Sequence, residues 1–156
     1  MEGVNQAQPR QYRVHKILAH SYSMYLILFL VGVSLDLIFK FKIFTHFIWA
    51  YIGITLLIIG TVFVFWAQKT SRNLDIKNLT KEAFNKGPYR HTRGPTHLGL
   101  FFLVLGFGII ANAFFVILTT VISFVIGKFF FLEKQENVLA EKYGTPYIEY
   151  KKSVKF

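Results

Sequence analysis

The chain has 156 residues, 53% of them hydrophobic and 18% aromatic, with no cysteine and a formal net charge of +10. The length suits one domain, and the apolar fraction is above that of an ordinary soluble protein. Without cysteine there is no disulfide framework, no thiolate nucleophile and no cysteine-ligated metal. So basic a chain points first to nucleic acid, and the placement of the bases along it decides whether that reading stands.

Residues 1–19 are polar and carry Arg10, Arg13 and Lys16. They contain no charge-free apolar core and no small-residue cleavage pattern, so this is not a cleavable signal peptide. Residues 20–39 are apolar except for Asp36 near their end. About 20 helical residues cover the ~30 Å hydrocarbon core of a bilayer, which predicts a transmembrane helix. Asp36 is close enough to the span's end to reach the interface, or to pair with Lys40 at helical spacing. Lys40 and Lys42 close the span, and residues 44–66 form a second one. That span has no charged residue, and it places Trp49, Tyr51 and Trp66 where interfacial anchors belong.

Residues 67–97 form a basic loop, with Lys69, Arg72, Lys77, Lys81, Lys86, Arg90 and Arg93 set against Asp75 and Glu82. Residues 98–132 are apolar, interrupted by Lys128 and by the softer Ala111-Asn112-Ala113. One helix over these roughly 35 residues would be roughly 52 Å long, too much for a single crossing. The segment therefore reads as a helical hairpin turning at Asn112. Its first arm is short, so the polar end of that arm begins within residues 87–99. The tail, 133–156, is polar again. Glu133 and Glu136 are spaced to share a helix face. Tyr143-Gly144 reads as a helix end with glycine in the left-handed cap position, and Thr145-Pro146 as the N-cap and first turn of another short helix.

The expected fold is an all-α integral membrane domain spanning 1–156. It has about four transmembrane helices, the last two a hairpin, and a cytoplasmic helical tail. With both termini cytoplasmic, all lysines and arginines except Lys40 and Lys42 fall on or near the cytoplasmic side, a strong positive-inside bias. Topology thus accounts for the charge, and no nucleic-acid partner is expected. There is no P-loop, dinucleotide fingerprint, zincin helix or nucleophile elbow. The five histidines are scattered, and His91 and His97 have no carboxylate cluster beside them, so no metal is expected. His15, His20 and His46 read as interfacial residues.

Two polar clusters, 87–99 and 133–150, flank the hairpin and are brought to one membrane face by it. A pocket between them would have Tyr89, Arg90, Arg93 and His97 on one wall and Glu136 on the other, above apolar helices. Such a pocket suits an amphiphilic small molecule with a charged head. Taken alone, Arg90 and Arg93 are better read as positive-inside anchors, and Glu133 and Glu136 as solvated helix charges.

The stretch GPYRHTRGPTHLG resembles the G-P-Y-R-x-x-R-H-P-x-Y-x-G motif of the isoprenylcysteine carboxyl methyltransferase and phospholipid methyltransferase superfamily. The stretch ENVLAEKYGTPYIEYKKSV is similar to that family's E-E-x-x-L-x-x-x-F-G-x-x-Y-x-x-Y-K-x-x-V ending. The resemblance covers about residues 60–156. It implies a membrane enzyme that binds S-adenosylmethionine beside the hairpin and methylates lipidic or isoprenoid-like acceptors entering from the bilayer. It implies cofactor contacts for Tyr89, Arg93, Pro95, His97, Gly99, Glu136 and Tyr147, with His97 and Arg93 as catalytic candidates. Leu139, Gly144 and Tyr150 also match. The sequence departs from the pattern at Gly94 (histidine in the family), His97 (tyrosine) and Gln135 (the first of paired glutamates). Arg90 stays an anchor, Pro88 and Pro95 set the turn, and Phe129-Phe130-Phe131 supply packing and lipid contact.

The cofactor carries its own electrophile and leaving group, so methyl transfer asks the protein for binding, alignment and a dry site. A carboxylate acceptor needs no base, whereas an amine or hydroxyl does, and His97 would serve. Two other readings remain open: an NAD(P)H-dependent membrane reductase of related architecture, and a non-catalytic membrane protein that retains the fold.

Overall fold

The computed structural model describes residues 7–72 and 80–154; residues 73–79 of the basic loop and both chain ends lie outside it. Helix α1 (Ala7–Phe39) runs without a break from the basic leader into the first apolar stretch. After a linker, 40–47, come α2 (Ile48–Arg72), the single turn α3 (Lys81–Phe84), a 3-10 turn (Gly87–Arg90) and α4 (Pro95–Ile110). Helix α5 (Phe114–Ile126) passes through a π-helical segment (Gly127–Leu132) into α6 (Glu133–Tyr143), and α7 (Thr145–Ser153) closes the described chain. Among the described residues there is no strand.

Among the described residues, three helical stretches are long and apolar enough to cross a membrane: Ala19–Phe39, Ile48–Arg72 and Phe114–Tyr143. The last is one continuous rod, so the first tail helix is the prolongation of a span and not a separate element. Helix α4 has 16 residues. That is ~24 Å of helix, short of a ~30 Å core, as expected for the shorter arm of the hairpin. Helix α2 starts later than the expected residue 44 and runs past Trp66, because the linker is used to close the other end of the bundle.

The surface is inside-out relative to a soluble bundle. Leu37, Ile58 and Phe65 are 60–71% exposed, while the buried residues of α2 are Gly53, Gly60 and Ala67, seven apart. Between helices in lipid, close approach rests on small residues and not on apolar burial. The α2–α4 contact, the most extensive in the fold, is built this way. Gly53 faces Gly106, and Gly60 faces Gly99. A Cβ added at Gly106 would lie 2.6 Å from the Gly53 carbonyl oxygen, and one at Gly60 would lie 2.7 Å from that of Gly99. Helix α1 approaches α5 through Gly32, which touches Thr119 and Val116. Thr119, Thr120 and Ser123 on α5 are buried, and each hydroxyl donates to a carbonyl of its own helix.

The turn at Asn112 is where expected, with Asn112 at φ 51°, a conformation asparagine tolerates. Its side chain also does more than turn. The Asn112 Oδ1 accepts from the backbone N–H of Ile43 and of Phe44, both at 2.9 Å, and Nδ2 donates to the Phe44 carbonyl at 2.8 Å. The linker is thereby stitched to the hairpin.

The expected Asp36–Lys40 pair is not formed. Asp36 instead accepts from the backbone N–H of Phe115 at 3.0 Å and of Val116 at 2.9 Å. The reason is local. The N-cap of α5 is Ala113, which has no side-chain acceptor. The first N–H groups of a helix in apolar surroundings need one, and the helix dipole favours a carboxylate there. Thr145 is likewise corrected: the N-cap of α7 is Gly144, at φ 66°, and Thr145 is the first helical residue. Gly144 has the positive φ expected of a helix-ending glycine, but its ψ of −142° lies outside the left-handed helical region.

Asp36→Ala and Asn112→Ala are each expected to destabilise the fold by about 1–3 kcal/mol, the cost of leaving buried backbone donors unmet. Thermal unfolding in detergent measures it, and Asp36→Asn, which keeps one acceptor, should fall between wild type and alanine.

Candidate active site

The two polar clusters meet at the end of the bundle where α4 begins. Gly87, at φ 57°, opens the 3-10 turn, and a Cβ there would lie 2.5 Å from Thr70 Oγ1 and 3.1 Å from Trp66 Nε1. Both its conformation and its space require glycine, and the turn is thus pressed onto the end of α2. Pro88 and Pro95 sit at the starts of the 3-10 turn and of α4, where a missing N–H costs nothing. The Thr92 hydroxyl accepts from the Gly94 N–H at 3.3 Å, tying the two together.

From this corner Arg93 reaches across to α6. Its Nη1 donates to Glu136 Oε2 at 3.1 Å, and it lies 3.1 Å from Oε1 without a hydrogen bond's geometry. The Lys151 ammonium on α7 reaches Oε2 at 2.9 Å. Glu136 is 4% exposed, whereas Glu133 on the same helix faces outward. One buried carboxylate between two cations leaves the cluster one positive charge in excess. Removing the carboxylate would take from Arg93 and Lys151 the counter-charge they share.

The tail is fixed to this cluster by a small aromatic core outside the apolar bundle. Phe84 packs edge-on to Tyr147, with ring centroids 5.4 Å apart, and against Tyr150 and Val154. The Tyr150 hydroxyl donates to the Tyr89 carbonyl at 2.7 Å. Burial pushes the phenols of Tyr89, Tyr147 and Tyr150 above their ordinary value, the Glu136 charge adding to this at Tyr147 and Tyr150, so all three remain neutral donors.

Behind the ion cluster lies a buried polar group from α1 and α4. The ring of His97, 6% exposed, stands 6.3 Å from the Tyr22 ring and 6.2 Å from the Tyr25 ring. Ser21 and Tyr25, one turn apart on α1, are 0% and 5% exposed. Ser21 Oγ, Tyr25 Oη and both His97 ring nitrogens lack a hydrogen-bond partner; Gln135 lies within reach of the ring but without bonding geometry. The Tyr25 hydroxyl fits only because Gly127, first residue of the π segment, leaves room: a Cβ there would be 2.8 Å from it. A π segment inside an α-helical rod is uncommon and often accompanies a functional site.

Of the residues expected at the site, Tyr89, Arg93, His97, Glu136 and Tyr147 converge on this corner. Pro95 is fully buried at the start of α4. Gly99 faces away, into the seam with Gly60 and Val64 of α2. Gly94, where the family has histidine, is covered by Leu132: a Cβ would lie 3.1 Å from its Cδ1. Sequence reasoning missed Lys151, Phe84, Ser21 and Tyr25. Lys151 falls on the lysine of the second motif but was not singled out, Phe84 lies outside both motifs, and the last two belong to a span read only for its hydropathy.

With this geometry in place the comparison with known proteins is informative. A family model described as phospholipid methyltransferase matches residues 48–146. The chain belongs to the phospholipid methyltransferase family. The match takes in α2, the basic corner, the hairpin and α6, and it sets the chain among integral-membrane methyltransferases. Searches of curated proteins and of solved structures return no match. Helix α1, with Ser21 and Tyr25, lies outside the family match.

Gly94→His should clash with Leu132 and destabilise the protein, and Leu132→Ala in the same chain should restore part of the loss. Additive losses in the thermal unfolding of the double variant would show that the two positions do not share this space. Tyr150→Phe should cost about 1 kcal/mol by freeing the Tyr89 carbonyl, seen as earlier proteolysis of the tail.

Proposed function

We propose that the chain is an S-adenosylmethionine-dependent methyltransferase acting on a lipidic or isoprenoid-like acceptor, with four membrane-crossing helices and both termini cytoplasmic. The observation that carries this reading is the Arg93–Glu136–Lys151 cluster around a buried carboxylate, together with buried polar groups at Ser21, Tyr25 and His97 that lack hydrogen-bond partners. Family membership favours group transfer over the hydride transfer of a reductase.

The residues present fit the cofactor. Its amino-acid moiety bears a carboxylate and an ammonium, matched by Arg93 and Lys151 on one side and Glu136 on the other. The orphaned Tyr25 hydroxyl and His97 nitrogens offer hydrogen bonds that the protein itself leaves unmade. When bound, S-adenosylmethionine supplies an activated methyl group together with its leaving group. The chain's own residues do the rest. Tyr89 and Tyr147, held neutral by burial, line the corner, and Pro95 fixes the start of α4. Gly99 lets α4 lie close against α2. Leu132 covers Gly94, and burial of the Glu136 carboxylate strengthens its attraction for the two cations. An amine or hydroxyl acceptor must lose a proton as it is methylated, and a ring nitrogen of His97 is free to take it.

Calorimetry of detergent-solubilised protein with S-adenosylmethionine tests the reading directly. Saturable binding is expected, and Arg93→Ala and Glu136→Gln should each weaken it by at least about tenfold. Folded wild-type protein that binds nothing at millimolar cofactor would sink the methyltransferase reading. Unchanged affinity in both variants would refute the site.

A further inference from the structure

The end of the bundle away from Arg93 and Glu136 carries a second polar feature. There the C-terminus of α1, the linker and the hairpin turn line a half-open cavity of about 290 Å³. Val33, Leu37, Phe107 and Val116 give it an apolar lining, and Lys40 and Lys42, both exposed, border it. These are the two lysines that the positive-inside pattern leaves unexplained. Asp36 also lines the cavity, but both its oxygens accept backbone N–H groups of α5. Neither ammonium has an ion-pair partner among the described residues, so the rim keeps a positive excess, reinforced by the N-terminus of α5.

The lysines are also held in place. Lys40 sits at φ 50°, with its N–H donating to the Asp36 carbonyl at 2.9 Å. Glycine is the unstrained residue for that helix end, and a lysine kept in a strained conformation marks a position with a use for its side chain. Beyond Lys42, the N–H groups of Ile43 and Phe44 are pinned by Asn112. The two stems thus start from a fixed backbone.

We propose that this cavity binds an anionic phospholipid, its phosphate on Lys40 and Lys42 and part of one acyl chain against the apolar lining. A soluble anion would use the lysines and leave the lining idle; a neutral lipid would do the reverse. The volume lies just below the ~300–1,000 Å³ that encloses a drug-sized ligand, so the cavity takes a length of one chain and not a whole lipid. The 16 residues of α4 separate it from the candidate active site, ~24 Å along the helix. It is therefore distinct from any acceptor site there, and it stands whether or not the methyltransferase reading does.

Native mass spectrometry and thermal unfolding of the full chain test it, in nanodiscs of phosphatidylcholine with and without phosphatidylglycerol. Phosphatidylglycerol should be retained preferentially and raise the unfolding temperature by several degrees, while inorganic phosphate does neither. The Lys40→Ala/Lys42→Ala double variant should weaken retention by about tenfold or more. Lys40→Arg/Lys42→Arg should restore it, and Lys142→Ala/Lys152→Ala at the other end should leave it intact. Equal retention of the two lipids, a shift reproduced by inorganic phosphate, or a preference that survives the alanine pair would each overturn the proposal.

Discussion

A chain that reverses direction within or at the edge of a bilayer must satisfy its own backbone, because lipid offers no hydrogen bonds. Here the reversal lies between α4 and α5, and two polar side chains satisfy it. Asp36 takes the first N–H groups of α5, and Asn112 takes those of the linker. The rest of the architecture depends on this. Only a tight turn sends α5 back beside α4, and only then does the rod that continues through the π segment deliver Glu136 to Arg93. The two walls of the candidate site lie far apart in sequence and meet because one end of the bundle is sealed.

The glycine seam between α2 and α4 is the lateral counterpart. Gly53 and Gly60 against Gly106 and Gly99 let two backbones approach to a distance that any side chain would prevent. Because α2 carries the 3-10 turn on its end, through Trp66 and Thr70 against Gly87, the seam also fixes the height of Arg93 above the apolar bundle. Gly99 shows how a residue can belong to a functional motif without pointing at a ligand.

Much of this could be read from the residues. Hydropathy and length located the apolar segments, and the excess length of 98–132 required the hairpin and put its turn at Asn112. The positive φ of Gly144 and the pairing of the basic corner with Glu136 followed from local signals and motif order. What could not be read are relations between residues distant in sequence. Asp36 looked like a partner for Lys40 because helical spacing is visible in a string, whereas the missing cap at Ala113 on another helix is not. Lys151 stands at the lysine of the second motif, but the motif does not say that this lysine meets Glu136. The glycines spaced by seven were in plain sight, but a stripe acquires meaning only when its partner is known.

The departures from the family pattern also look different once the neighbours are in place. Gly94 is not an empty position, since Leu132 from the π segment occupies the space above it. His97 is buried against Tyr22 and Tyr25, two residues of a helix beyond the family match. In this chain both positions are filled by neighbours, Leu132 above Gly94 and Tyr22 and Tyr25 beside His97. Glu136 holds both Arg93 and Lys151 at this corner. Ser21, Tyr25 and His97 carry buried polar atoms without a hydrogen-bond partner, and so, among the described residues, do Asn85 Oδ1 and Glu136 Oε1.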